Sequence, residues 1–199
     1  MSADFLNPYN LRTLQSVLVG IGVEVNFEVI AAAALLRRHA PELRVRVVNV
    51  TDLFILADTG LHPHSLTPDA FTSLFTNDKA VVFNYHGYPI ELKGLLFGRP
   101  GLDRMSVHGY QEEGTTTTPF DVRNGRFLVL LIHVLTEFQM MISNDTDRFA
   151  IAIDAVKGGA KVNQTVSAYA HEKCSLLKHL RQKEKDYIHF HGKGAVISL

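Results

Sequence analysis

Two groups of residues in this 199-residue chain could take part in chemistry, and the first is a set of histidines. His62 and His64 stand two residues apart and could provide two ligands to a metal ion such as zinc, with His86 and His108 as scattered candidates for a third. A zinc site also needs acceptors that orient each imidazole. The competing interpretation is that His62 and His64 fix a loop by hydrogen bonding, ahead of a short helix that begins at Thr67.

The second group is a pair of glycines after the first predicted strand. Gly20 and Gly22 flank Ile21 in a pattern that lets a dinucleotide pyrophosphate approach a helix N-terminus. Val25 occupies the place of the third glycine, and Asp52 is the only candidate ribose ligand. A tight turn is therefore the simpler interpretation, and nucleotide binding stays the alternative.

Composition predicts a single domain without a nucleic-acid or membrane partner. An apolar content of 46% is enough for one sizeable α/β core. Twenty basic residues balance twenty acidic ones, which gives no basic surface for nucleic acid or an anionic membrane. The single cysteine, Cys174, is typical of a reducing compartment and a structural thiol, with a catalytic nucleophile as the alternative. No secretory signal is visible, so we expect a cytoplasmic location.

Strands and helices alternate along the chain. Strands are predicted at 16–21, 44–50, 80–85 and 104–110. The first and third are short continuous apolar runs typical of buried parallel strands, and 44–50 alternates at its start and is apolar at its end. Helices are predicted at 27–39, 67–75, 90–97, 140–157 and from 161 onward. This alternation predicts a mostly parallel sheet with helices on both faces.

Single residues set some of the predicted helix boundaries. Asn26 is placed to cap the helix 27–39. Apolar residues recur at spacings of four and three through 140–157, which predicts one continuous helix, and Gly158 and Gly159 are predicted to end it.

Four blocks of sequence resemble a known family. They are HPHSL at 62–66, LFTNDKAVVFNYHGYP at 74–89, HGYQEEGTTTTPFD at 108–121 and NDTDRF at 144–149. Their order and spacing are similar to those of the C-terminal domain of the thiamine-diphosphate-dependent phosphoketolases. The resemblance covers 16–161 except 122–139, and the variants GIGVEV, NYHGYP and LLFGRP are more similar to the fungal and related branch.

The resemblance implies a fold and an enzyme. The fold is a three-layer α/β/α domain around a mostly parallel, roughly five-stranded sheet with one antiparallel strand, like the C-terminal domain of transketolase. Phosphoketolases are aldehyde-lyases of carbohydrate metabolism. They cleave xylulose 5-phosphate or fructose 6-phosphate with phosphate, giving acetyl phosphate and an aldose phosphate, with thiamine diphosphate and Mg²⁺ as cofactors. The family's catalytic and cofactor residues lie mainly in two preceding domains, so the resemblance implies no catalytic, cofactor-binding or metal-binding residue in this chain.

The resemblance also implies a structural and assembly unit, whose partners are the preceding phosphoketolase domains and a dimer partner. Polar and aromatic residues of the matching blocks are therefore candidates for an interface, or less favoured, for positions near substrate: His86, Tyr88, His108, Tyr110, Glu112, Glu113, Thr115, Thr116, Thr117 and Thr118. A chain that lacks the cofactor domains is predicted to be non-catalytic. The alternative from another class is a free-standing α/β binding module for a nucleotide or a sugar phosphate.

The predicted organisation is an irregular leader at 1–15, the domain at 16–188 and a loose tail at 189–199. The segment 122–139 (VRNGRFLVLLIHVLTEFQ) interrupts the resemblance, and its removal restores TTTTPFDMMISNDTDRF. Its apolar part is shorter than the ~20 residues of a membrane-spanning helix and suits no solvent-exposed loop. We interpret the segment as an unspliced intron read in frame, with a true inserted strand or helix as the alternative. In either case it should leave the sheet order intact.

Overall fold

The computed structural model describes residues 14–111 and 137–191. Within this part, four strands form one sheet in the order β2-β1-β3-β4. The strands are β1 (Ser16–Ile21), β2 (Val45–Asn49), β3 (Ala80–Tyr85) and β4 (Met105–His108). All three neighbouring pairs are parallel. The sequence-based expectation of a mostly parallel α/β sheet is confirmed, with four described strands instead of roughly five.

Six α-helices lie in the described residues. They are α1 (Val23–His39), α2 (Pro68–Phe75), α3 (Pro89–Leu96), α4 (Glu137–Ser143), α5 (Arg148–Val162) and α6 (Gln164–His191). Two 3₁₀ turns, Leu53–Leu56 and Leu102–Arg104, complete the connections. None of the described helices is long and apolar enough to cross a membrane.

The sheet is buried on both faces, which explains the continuous apolar runs of its strands. Side chains alternate along β1 and β3, so Leu18 and Val82 point into one core with α1, α5 and α6. Val17, Val81 and Phe83 point into a second core with α2 and α3. Helix, sheet and helix therefore form three layers, as expected.

The first helix begins earlier than predicted. It starts at Val23, after Gly22, and Asn26 lies inside its first turns instead of capping it. The side-chain amide of Asn26 donates to the Gly22 carbonyl at 2.7 Å and to Asn49 Oδ1 at 2.8 Å, so it ties α1 to β2. The prediction of an Asn26 cap was therefore wrong.

The single helix predicted at 140–157 was wrong. Two helices lie here, α4 and α5, because the buried Asp147 caps the N-terminus of α5 and starts a new helix. Asp147 Oδ1 accepts hydrogen bonds from the Phe149 and Ala150 amides at the start of α5. Gly158 and Gly159 lie inside α5 and do not end it. They allow close packing instead, since a Cβ on Gly158 would lie 2.3 Å from Ala80 Cβ, and one on Gly159 2.4 Å from Leu43 Cδ1.

Several sequence-based predictions lie outside the described residues. They are most of the leader at 1–15, most of the segment 122–139, and the tail beyond His191. Residues 137–139 belong to α4, and α6 continues to His191.

Candidate functional site

A cleft opens where the sheet order changes direction. β1 and β3 are neighbours, but the chain leaves β1 through α1 toward β2, and leaves β3 through α3 toward β4. Such a switch point separates the loops at the carboxyl ends of the two strands, and it is where open α/β sheets bind ligands. A cavity of about 260 Å³ lies here, which we call the switch-point cleft, lined by Glu24, Val25, Tyr85, His86, Tyr110, Met140, Met141, Asn144 and Thr146.

An acid–imidazole pair stands at the mouth of this cleft. His86 Nδ1 lies 2.8 Å from Glu24 Oε2, and the His86 amide donates to the Ile21 carbonyl at 2.8 Å. The pKa of Glu24 is lowered first by a hydrogen bond from its own backbone amide and then by His86. Gly22 makes the approach possible, because it has φ of 117° and a Cβ there would lie 2.5 Å from His86 Cβ.

The Glu24 carboxylate also argues against the alternative interpretation, nucleotide binding at Gly20 and Gly22. Gly22 leads directly into α1, the place where a dinucleotide fold would hold a pyrophosphate. Here the Glu24 carboxylate accepts from an amide of the first turn and brings negative charge to that site. Gly20 serves packing, since a Cβ there would lie 2.0 Å from Asn26 Oδ1. This arrangement disfavours an anionic ligand at α1.

Aromatic side chains form one side of the cleft. The rings of Tyr88 and Tyr110 meet edge to face with centroids 5.8 Å apart. The Tyr110 amide donates to the Gly87 carbonyl at 2.8 Å, which joins the segments that follow β3 and β4. The Tyr85 hydroxyl donates a hydrogen bond to Glu91. The pKa of Tyr85 is raised, mainly by burial and to a lesser degree by the negative charge of Glu91.

Asn84 at the end of β3 connects the cleft to the helical layer. Its side chain is fully buried, and its amide nitrogen donates to the carbonyls of Val25 at 3.3 Å and Thr146 at 2.9 Å. Among the described residues, its Oδ1 has no hydrogen-bond partner. Asn84 thereby links two lining residues, Val25 of α1 and Thr146 just before α5.

The wall formed by Asn144 and Thr146 is anchored by ion pairs. Arg181 of α6 contacts Asp145 Oδ1 and lies 2.6 Å from Asp147 Oδ2. Arg148 makes a bidentate ion pair with Glu28 of α1, with Nη2 2.6 Å from Oε1 and Nε 3.0 Å from Oε2. Helices α1, α5 and α6 are thus locked together beside the cleft.

His108 belongs to a different environment. Its Nε2 lies 2.9 Å from Asp154 Oδ2 of α5, and Lys157 Nζ lies 2.9 Å from Asp154 Oδ1. Burial acts to raise the pKa of Asp154, but hydrogen bonds from His108 and Lys157 outweigh it and hold that pKa at about 2. This triad secures β4 to the helical layer.

The predicted site residues therefore divide into three sets. His86 and Tyr110 line the cleft and Tyr88 packs on Tyr110, while His108 faces α5. The remaining candidates lie outside the described residues: Glu112, Glu113, Thr115, Thr116, Thr117 and Thr118. Sequence reasoning missed Glu24 and Asn144. Glu24 could have been found as an acidic residue in a first helical turn directly after a strand and a glycine.

His62 and His64, in the segment between the Leu53–Leu56 turn and α2, hold that segment in place by hydrogen bonds and ring stacking. His64 Nδ1 lies 2.7 Å from Asp52 Oδ2, the His64 amide donates to His62 Nδ1 at 3.2 Å, and the His62 ring stacks on Phe54 at 4.4 Å. These are the loop-fixing hydrogen bonds that the sequence suggested. Within residues 14–111 and 137–191, no three His, Cys, Asp or Glu side chains are grouped so that they could hold a metal ion.

The fold and the cleft define an open, parallel α/β domain of three layers with a crevice at its switch point. Comparison with known families narrows this class. The family model of the XFP C-terminal domain matches residues 10–127 and 133–196, so the chain belongs to that family.

Curated relatives carry the phosphoketolase name. A probable phosphoketolase of Schizosaccharomyces pombe is 42% identical over 172 residues, which are 86% of this chain and 18% of that protein. The probable phosphoketolase 2 of a Nostoc strain is 37% identical over 179 residues, covering 89% of the chain and 20% of that protein. One from Streptomyces coelicolor is 37% identical over 176 residues, 88% of the chain and 19% of that protein. The chain thus spans about a fifth of the length of these relatives.

Proposed function

We propose that this chain is the non-catalytic C-terminal assembly domain of a phosphoketolase, and that it docks on the cofactor-binding part of that enzyme. The whole enzyme would be an aldehyde-lyase that cleaves xylulose 5-phosphate or fructose 6-phosphate with phosphate to give acetyl phosphate. Thiamine diphosphate and Mg²⁺ would be held by the other domains, which with a dimer partner are the partners of this one.

One observation carries the proposal, an exposed apolar surface around the mouth of the switch-point cleft. We call it the carboxyl-edge patch and define it as Tyr88, Ile90, Tyr110 and Met140. Ile90 is 75% exposed, and the other three are also large and exposed. They come from the segments after β3 and β4 and from α4, so they share one edge of the sheet. Clustered exposed apolar side chains with aromatic members are typical of protein–protein interfaces.

The chemistry of the cleft supports docking over catalysis. The described residues do not fit thiamine diphosphate, because the Glu24 carboxylate stands at the start of α1 where a diphosphate would need positive potential. His86 is already paired with that carboxylate. The pair is suited to orienting the rim of an interface, and the tyrosines provide rigid amphipathic contacts.

The non-catalytic part of the proposal is tested on the purified chain. Supplied with thiamine diphosphate, Mg²⁺, phosphate and xylulose 5-phosphate, it should form no acetyl phosphate above background and bind no thiamine diphosphate. Turnover or saturable cofactor binding would refute this part.

The docking part is tested in a chimera in which this chain replaces the matching segment of the Schizosaccharomyces pombe protein. Ile90→Ser should weaken docking by roughly 1–2 kcal/mol and lower acetyl phosphate formation, because it removes a large side chain from the patch. The matched control is Val162→Ser, which changes an exposed residue at the end of α5, near the opposite edge of the sheet. Equal activity of the two variants, or a folded but inactive parent chimera, would contradict docking through the patch.

A further inference from the structure

Helix α1 is apolar on two sides. Its inner side is buried in the core through Val29 and Leu36. On its outer side Val23, Phe27 and Ile30 are 66%, 67% and 52% exposed. Large apolar side chains on the side of a helix that faces away from the core are normally covered by another element or partner.

Four exposed residues and the half-buried Ala34 form a regular seam, which we call the α1 stripe: Val23, Phe27, Ile30, Ala34 and Arg37. Their spacings of four, three, four and three are those with which one helix packs along another. The stripe shares no residue with the carboxyl-edge patch, so what covers it is a separate question from the docking proposed above.

We propose that the α1 stripe pairs with the α1 stripe of a second copy of this chain, in an antiparallel and two-fold symmetric contact. The charges of the helix favour this occupant. The first turn carries Glu24, and the last turn carries Arg37 and Arg38. With the two-fold axis at the middle of α1, the acidic turn of each copy lies beside the basic turn of the other.

Side-chain size is complementary in the same alignment. The bulky Phe27 of one copy comes close to Ala34 of the other, and Ile30 lies near the two-fold axis. Large residues then meet small ones, as close helix packing requires. A parallel pair would instead place both Glu24 side chains together and both pairs of arginines together, which like-charge repulsion disfavours.

The contact is one helix wide, so we expect a weak dimer. Its area falls below that of the standard interface of about 1,600 Å². A dissociation constant on the order of 10 µM is expected. Phe27→Ser should raise this constant at least about tenfold, because it removes the bulkiest apolar side chain of the α1 stripe.

Charge reversal tests the antiparallel arrangement. Arg38→Glu should weaken the dimer roughly threefold to tenfold, because it faces Glu24 of the other copy. Adding Glu24→Lys to Arg38→Glu should restore much of the affinity, since the pair is again of opposite sign. Val162→Ser, a change of an exposed residue at the end of α5 that is not part of the α1 stripe, is the control that should leave the constant unchanged.

The measurement is sedimentation velocity of the full chain from about 1 to 200 µM, a range that brackets the expected constant. Far-UV circular dichroism verifies the fold of each variant. As an independent readout, Ile30→Cys in a Cys174→Ser background should form a disulfide-linked dimer when treated with oxidised glutathione, and Val162→Cys in the same background should not.

Four results would overturn the proposal. One is a monomer at every concentration, and another is open-ended aggregation without a dimer. A third is a dimer that survives Phe27→Ser but is lost in Ile90→Ser, which would assign the contact to the carboxyl-edge patch. The fourth is a monomeric chain whose α1 variants impair the chimera with the Schizosaccharomyces pombe protein, which would assign the stripe to another part of the phosphoketolase polypeptide.

Discussion

Replacing Arg148 by methionine should strongly destabilise the helical layer. Glu28 is only 4% exposed, and Arg148 supplies two of its hydrogen bonds, at 2.6 and 3.0 Å. Arg148→Met leaves the carboxylate buried without its counter-charge. The backbone amide of residue 148, at 2.7 Å from Oε2, still donates to it. Removing one partner of a buried pair costs about 3–5 kcal/mol, and the retained amide bond places this case near 3 kcal/mol.

The assay is urea unfolding at about 1 µM, well below the dissociation constant expected for the α1 dimer. Urea unfolding gives the free energy of unfolding directly, and the expected loss is about 3 kcal/mol. In a thermal unfolding experiment the same loss corresponds to a fall in Tm of roughly 6–12 °C for a domain of this size. Lys157→Met is the control, because it removes a surface pair whose lysine is 60% exposed and should cost less than about 1 kcal/mol.

A double variant distinguishes two contributions to the free energy of unfolding: the lost ion pair and the cost of leaving the Glu28 carboxylate buried without a counter-charge. Glu28→Gln combined with Arg148→Met should be more stable than Arg148→Met alone, because residue 28 then no longer carries a buried charge without its counter-charge. A loss below about 1 kcal/mol for Arg148→Met, or an equal loss for the double variant, would refute the reasoning.

Three further substitutions, one of them a control, test the contacts around the cleft and the sheet. Asp154 has a folded pKa of about 2, below the usual value near 3.9, so its pairing stabilises fully above about pH 4 and is lost as the pH falls toward 2. Tm should therefore fall more steeply between pH 5 and 2 in the wild type than in Asp154→Asn, and parallel profiles would contradict the assignment. Gly22→Ala should destabilise by more than about 1 kcal/mol because of its φ of 117° and the His86 contact. Gly94→Ala, in open space within α3, should stabilise by about 0.5–1 kcal/mol, so equal effects of the two changes on the free energy of unfolding would show that neither feature matters.

Buried strands were the part of the fold most open to prediction. The predicted ranges 16–21 and 80–85 agree with β1 and β3, because strands buried on both faces consist of nearly continuous apolar residues. The helix near 67–75 was also predicted, since Thr67 caps it and Pro68 begins it.

The break between α4 and α5 was missed because periodicity and capping compete there. Ile142, Thr146 and Phe149 continue the spacing of four and three across the break. Asp147 overrides that pattern, since it is buried, accepts two amide hydrogen bonds and binds Arg181 from a distant helix. Local sequence carries no signal for the arginine that makes this burial tolerable.

The candidate site was predicted in part for a similar reason. His86 and Tyr110 lie in the sequence blocks that resemble the family, whereas Glu24 meets His86 from 62 residues away. That meeting depends on β1 and β3 being neighbours, which the order of strands along the chain does not specify. Asn144 joins the cleft only through the helix break, so missing the break meant missing the residue.

Hydrogen exchange in the chimera tests most directly whether this domain docks through its carboxyl edge. The proposed function predicts that backbone amides at 86–91 and 108–111 exchange at least about tenfold more slowly in the chimera than in the isolated chain. Amides at 160–163, near the opposite edge, should exchange at the same rate in both. Equal rates at 86–91 and 108–111 in the two proteins would contradict the central claim.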